Sequence, residues 1–208
     1  MLFIYSREAS IVCQLSPTSN IKNRARRPRF TKRSYTFGGI IRDLAIAFRS
    51  TFIIGMEKKG HGITPRFKER VMLAVTAVNK CRYCSFIHSR LALLSGCTAA
   101  DVKAILDSEF GNVDENERVA LAFAQHYAES RGKPDRDAAR KLLLAYGQEN
   151  ASSIVASIQG IMVGNLTGNT LDAFEARLKG QHVEGGSLLL EFIVFLIGKP
   201  IMHLLKIG

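Results

Sequence analysis

Apolar side chains recur at three- and four-residue spacing along almost the whole chain after residue 36, and the residues that interrupt them are helix-ending ones. Ile40, Ile41, Leu44, Phe48, Thr51 and Phe52 make one such stripe and predict an amphipathic helix ending near Gly55, with a loop from Gly60 to Ile63. Thr64-Pro65 is an N-cap followed by proline in the first helical position, which predicts a helix through Glu69 to about Val78. Asn79 is expected to cap a second helix, Lys80 to Ser95, closed by Gly96 in the left-handed conformation. Thr98 with Asp101, and Asp114 with Glu117, have capping-box spacing and open helices near 99–109 and 115–130. Asp135 opens another that Gly147 stops. Residues 151–163 read as an apolar, small-residue helix, punctuated by Gly164-Asn165 and Gly168-Asn169 before a shorter helix, Thr170 to Leu178. The expected fold is therefore all-α, a helical bundle without internal repeats.

Two segments differ from this pattern. Residues 1–33 carry Arg7, Lys22, Arg24, Arg26, Arg27, Arg29, Lys32 and Arg33 against Glu8 alone, so +7 of the formal +11 net charge lies in this arm. The remaining chain is only mildly basic, which removes the main argument for a specific nucleic-acid partner. The arm is expected to be a flexible, solvated leader, with a polyphosphate or anionic-lipid tether and a transit peptide as alternatives; no secretory signal is recognisable. At the other end, residues 187–208 are too apolar to be left in water, yet Glu191, Lys199, Pro200 and His203 interrupt any membrane-spanning run. This tail is expected to pack on the domain, on a neighbouring subunit or on a membrane surface. The division is thus a 1–33 arm, a 34–186 helical domain and a 187–208 tail. A composition of 47% apolar residues with 17 Gly and 5 Pro excludes disordered and collagen-like chains.

Four cysteines in 208 residues are too few for a disulfide scaffold. With no export signal, a reducing, cytoplasmic setting is expected, where Cys81-Arg-Tyr-Cys84 reads as redox or metal chemistry. On a helix advancing about 100° per residue, positions 81, 84 and 88 fall within an arc of about 60°, so both thiols and the His88 imidazole share one face. Cα atoms at i and i+3 lie about 5 Å apart, within reach of a disulfide. His88, one turn beyond Cys84, is the natural base for that thiol. A helix terminus offers a thiolate about 0.3–1 kcal/mol and a hydrogen-bonded imidazole several pKa units, so Cys84 is expected to be the more acidic thiol. Glu69 would orient the His88 ring if the fold brings it there; otherwise it is an ordinary surface carboxylate. Cys97, Cys13, His126, His182 and His203 lack comparable company and are expected to be packing or surface residues.

Glu69, Cys81, Cys84 and His88 at this spacing resemble the signature of alkylhydroperoxidase D and its relatives in the carboxymuconolactone decarboxylase superfamily. The flanking Leu73-Ala-Val-Thr-Ala-Val-Asn, His88-Ser-Arg-Leu-Ala-Leu-Leu-Ser-Gly96 and Gly164-Asn-Leu-Thr-Gly-Asn-Thr-Leu-Asp-Ala-Phe174 are similar to the same family, over about residues 37–180. The resemblance implies an all-helical fold assembling as dimers, trimers or hexamers. It implies a thiol peroxidase or disulfide reductase in which Cys84 attacks a hydroperoxide, Cys81 resolves, and His88 and Glu69 relay protons. No bound cofactor is implied; turnover would need an external dithiol such as a thioredoxin-like protein or a lipoyl group. Tyr83 stands where alkylhydroperoxidase D has a histidine, and a phenol with an ordinary pKa near 10 is a poor base at neutral pH. The lactone decarboxylases of the superfamily typically lack the cysteine pair, which argues against decarboxylation. Two alternatives stand beside this: a zinc site of Cys81, Cys84, His88 and either Glu69 or Cys97, and a non-catalytic scaffold with an inert buried pair.

Overall fold

The computed structural model describes residues 29–56, 63–111 and 113–204. Among them the chain is all-α apart from two short strands, in the order β1 (Arg29–Phe30), α1 (Phe37–Met56), α2 (Pro65–Asn79), α3 (Arg82–Leu94), α4 (Ala99–Leu106), α5 (Glu115–Glu129), α6 (Arg136–Leu178), β2 (His182–Val183) and α7 (Leu188–Leu204). Helix α2 is the hub and packs against α3, α4, α5 and α6. Its Val71, Leu73, Ala74 and Val75 are fully buried, and Ile105 of α4, Leu121 of α5 and Ile154 and Ile158 of α6 close around them. Removing these side chains from water is the main stabilising term of the domain.

The helix starts follow the capping chemistry of the sequence. Thr64 accepts from the Phe67 N–H with Pro65 behind it, Asp135 accepts from the Ala138 N–H, and Thr98 and Asp101 satisfy each other's N–H groups in a complete capping box. The second expected box is incomplete. Asp114 accepts from the Asn116 N–H, but Glu117 pairs with the buried Arg70 instead of turning back. Gly147 interrupts α6 with φ 71°, which breaks the helix where a stop was expected. The interruption expected at Gly164 and Gly168 is absent, and α6 runs unbroken from there to Leu178.

The arm also differs in part from expectation. Its first 28 residues, Cys13 among them, lie outside the described residues, whereas residues 29–33 are fixed to the body. Arg29 and Phe30 pair in parallel with His182 and Val183, Lys32 Nζ lies 2.7 Å from Asp172 Oδ2, and Arg33 Nη1 donates to the Ala128 carbonyl at 2.9 Å. Tyr35 is buried and its N–H donates to Thr170 Oγ1. The arm therefore meets the body several residues before the boundary the charge pattern suggested.

The apolar tail forms α7, which lies along α6. Leu190 and Glu191 are its buried residues, and Glu191, with no exposed surface, takes two hydrogen bonds from Arg177, at 2.6 and 3.2 Å. Phe174 of α6 packs against Phe192 and Phe195. No helix among the described residues is long and apolar enough to cross a membrane.

Candidate active site

The backbone between α2 and α3 turns within one residue. Lys80 adopts a left-handed conformation (φ 56°), and its N–H closes α2 on the Thr76 carbonyl. This turn shifts the start of α3, so Cys81, not Asn79, is its N-cap. Cys81 is extended and its sulfur accepts from the Cys84 N–H at 3.3 Å, the role a serine hydroxyl would usually fill. The two cysteines are thus not equivalent residues of a continuous helix. Cys81 sits against the unpaired N–H groups of the first turn, and Cys84 lies within that turn.

Electrostatics follow this asymmetry. The Cys84 thiol donates to the Cys81 sulfur, and with the Cys84 and Tyr83 N–H groups this holds Cys81 below the ordinary thiol range in spite of burial. The same hydrogen bond, then burial, then the nearby Cys81 charge, push the Cys84 thiol up. These directions make Cys81 the more acidic thiol of the pair, opposite to the order expected from the proximity of His88. The first-turn N–H groups and the partner thiol act on Cys81 directly, whereas the sequence pattern ranks the helix terminus below the His88 imidazole. Both thiols are free and buried, Cys81 completely and Cys84 to 8% exposure.

Glu69 and His88 are brought together across the α2–α3 contact, with Glu69 Oε2 2.7 Å from His88 Nδ1 and both side chains largely shielded. A carboxylate at Nδ1 favours the tautomer that leaves Nε2 with its lone pair. Tyr83 is buried, and burial keeps its phenol protonated, with neighbouring Asp172 acting in the same direction. Its oxygen accepts from Arg82 Nη2 at 2.6 Å, and the Arg82 guanidinium also binds Asp172 and Glu175, each at 2.8 Å. Tyr83 is therefore part of a structural polar cluster and not a proton acceptor.

A cavity of about 950 Å³ opens beside the pair, between α2, α3, α6 and α7. Cys84, His88 and Tyr83 are in its wall; Cys81 and Glu69 are not. The rest of the wall is mostly apolar, including Met72, Ile87, Ile161, Leu171, Val194 and Ile201. Two glycines of α6 make the approach to the thiols possible. A Cβ on Gly168 would stand 2.6 Å from Cys81 Sγ, and one on Gly164 would stand 3.7 Å from Cys84 Sγ. The sequence pattern suggested helix punctuation at these positions. Their four-residue spacing, which places them on one helix face, is the signal that would have marked them as a close helix contact.

The other candidates lie elsewhere. Cys97 is free and buried at the α3–α4 connection, His126 pairs with Asp135, and His182 and His203 are not in the cavity wall. Among the described residues no group of three or more His, Cys, Asp or Glu side chains is arranged to hold a metal ion, so the four-ligand zinc alternative has no ligand set there.

The site combines an all-helical scaffold, a Cys-x-x-Cys pair and a carboxylate-held histidine one turn further on. Residues 48–126, from the middle of α1 to α5, match the model of the carboxymuconolactone decarboxylase family. The matched segment contains Glu69, Cys81, Cys84 and His88; Gly164, Gly168 and α7 lie beyond it. No curated protein and no solved structure matches the chain.

Proposed function

We propose that this chain is a thiol-dependent peroxidase or disulfide reductase of the alkylhydroperoxidase D type, in which the Cys81/Cys84 pair reduces hydroperoxides. The observation that carries this reading is the division of labour within the pair. Cys84 faces a cavity it shares with His88, while Cys81 stands behind it as a completely buried thiol of lowered pKa. The accessible thiol is the one a substrate meets; the buried, more acidic thiol is the one ready to resolve.

The chemistry then runs in three balanced steps. His88, oriented by Glu69, takes the Cys84 proton through Nε2, and the Cys84 sulfur attacks the terminal peroxide oxygen. The S–O bond forms as the O–O bond breaks, His88 returns the proton to the departing alkoxide, and Cys84 is left as a sulfenic acid with an alcohol released. Cys81 attacks the Cys84 sulfur as its S–O bond breaks, the Cys81 proton passing to the departing hydroxide, so that the disulfide forms and water leaves. An external dithiol, thioredoxin-like or lipoyl, attacks the disulfide at Cys84, since that sulfur faces the cavity; Cys81 departs as the better leaving group because its pKa is the lower, and the second thiol of the reductant displaces Cys84 from the mixed disulfide, so that the reductant leaves as its own disulfide.

Loss of two thiols per chain on mixing the reduced protein with a hydroperoxide is the direct test. Cys84→Ser should abolish consumption, and Cys81→Ser should trap one sulfenic acid on Cys84 without turnover. Glu69→Gln should slow the first step by at least about tenfold, the low end for a positioned proton-transfer partner. A sulfenic acid trapped on Cys81, or a reduced protein inert to hydroperoxides, refutes the assignment.

A further inference from the structure

We propose that the cavity beside Cys84 takes a long-chain, carboxylate-bearing hydroperoxide of the fatty-acid class, with its tail under α7 and its carboxylate on Lys68. The proposal rests on the peroxidase reading of Cys84 and adds the identity of what it reduces. Its basis is the size of the cavity and the distribution of polarity in its wall. About 950 Å³ is at the upper end of what small-molecule sites enclose, and far more than hydrogen peroxide or a four-carbon hydroperoxide would fill. Val194, Ile197, Ile201 and Met202, all from α7, face Met72, Ile87, Ile161 and Leu171 across it. A chain of methylene groups is the ligand such walls remove from water most favourably.

Beside Tyr83 and the hydroxyls of Ser153, Ser157 and Thr167, three other polar side chains enter the wall. Cys84 and His88 supply the chemistry, and Lys68 supplies a cation. Lys68 is both solvent-exposed and part of the wall, which places it at the mouth, and no carboxylate among the described residues pairs with it. An amphipathic acid satisfies both ends of this arrangement, the carboxylate remaining half in water on Lys68 while the chain runs inward past the thiol. The hydroperoxyl group of a peroxidised acyl chain lies along its length, so it meets Cys84 from the side of the channel. Helix α7, which completes the channel, lies outside the matched family segment and is held in place by the Arg177–Glu191 and Lys199–Glu175 pairs.

The test uses the full chain and three hydroperoxides: an eighteen-carbon fatty-acid hydroperoxide, its methyl ester and tert-butyl hydroperoxide. The long acid should exceed tert-butyl hydroperoxide in kcat/KM by at least about a hundredfold, the effect of burying three to four more methylenes. Gly160→Leu, in the wall where a Cβ meets nothing within 4 Å, should collapse that ratio. Lys68→Gln should raise KM for the acid about fivefold relative to the ester, the effect of one exposed ion pair. Binding of oleate to the Cys84→Ser protein reads the cavity independently of the chemistry. Equal rates for long and short substrates together with no oleate binding overturn the substrate assignment and leave the peroxidase reading standing. Oleate binding that Gly160→Leu removes, with no reaction toward any hydroperoxide, overturns the peroxidase reading and retains the cavity as a fatty-acid site. An equal effect of Lys68→Gln on acid and ester overturns the role of Lys68.

Discussion

Replacing Gly168 by alanine introduces one methyl group where α6 crosses the start of α3. The new Cβ would stand 2.6 Å from Cys81 Sγ and 3.2 Å from Tyr83 Cδ2, and neither atom is free to retreat, because Cys81 is the α3 N-cap and Tyr83 is held by Arg82. Overpacking of this kind costs about 1–3 kcal/mol. Against it stands the gain of replacing a helical glycine by alanine, about 0.8–1 kcal/mol. Gly164→Ala provides the internal standard, since it lies one turn earlier in the same helix and its Cβ would meet Cys84 Sγ at 3.7 Å, an ordinary contact. The helix gain is common to both variants and cancels in the comparison, so Gly168→Ala should be less stable than Gly164→Ala by about 1–3 kcal/mol. For a chain of this size that is about 3–10 °C in melting temperature. Denaturant titration of the reduced proteins gives the free energies directly, and the sulfur displaced by the methyl group should also show a higher alkylation pKa at Cys81. Equal stability of the two variants, or a more stable Gly168→Ala, would refute the close contact between α6 and the Cys81 sulfur.

Three further outcomes are expected. Cys84→Ala removes the strongest of the contacts that lower the Cys81 pKa, so thiolate absorbance should appear at higher pH than in the wild type; an unchanged titration would mean that the N-cap alone sets it. Arg177→Met leaves the fully buried Glu191 without its partner, which costs about 3–5 kcal/mol in typical cases, and limited proteolysis should then cut first within α7; an unchanged digestion pattern would show that α7 does not need the pair. The exposed apolar residues of α1 and α7, among them Ile41 at 66%, Ile197 at 63% and Leu189 at 61% exposure, favour a homo-oligomer; a monomer at micromolar concentration in light scattering contradicts this.

The helix starts at Thr64, Thr98 and Asp135 were legible because a cap is a local device, decided by a side chain and the backbone three residues on. The thiol pair was legible as a pair for the same reason. Its polarity was not, because it depends on Lys80 entering the left-handed region, a conformation nothing in Asn79-Lys80-Cys81 announces. Once that residue turns, the N-cap moves from Asn79 to Cys81, and the sulfur nearer to His88 in sequence is no longer the more acidic one. The basic arm failed differently. Arg29 and Lys32 look solvated in sequence, yet their acceptors, Glu184 and Asp172, stand 155 and 140 residues away. Local charge counting has no access to separations of that kind.

The Arg177–Glu191 pair has a consequence for specificity of position. Around Glu191, α7 reads Leu188, Leu189, Leu190, Phe192 and Ile193, side chains similar enough in volume and polarity that sliding the helix by one turn would exchange one greasy contact for another at little cost. A carboxylate with no exposed surface against a single guanidinium removes that freedom, because any other axial setting would bury an apolar residue on Arg177 and strand the acid. The pair therefore acts as a register pin. It fixes both the rotation and the height of a helix whose own sequence barely specifies either, and through them decides which of its side chains roof the cavity over Cys84.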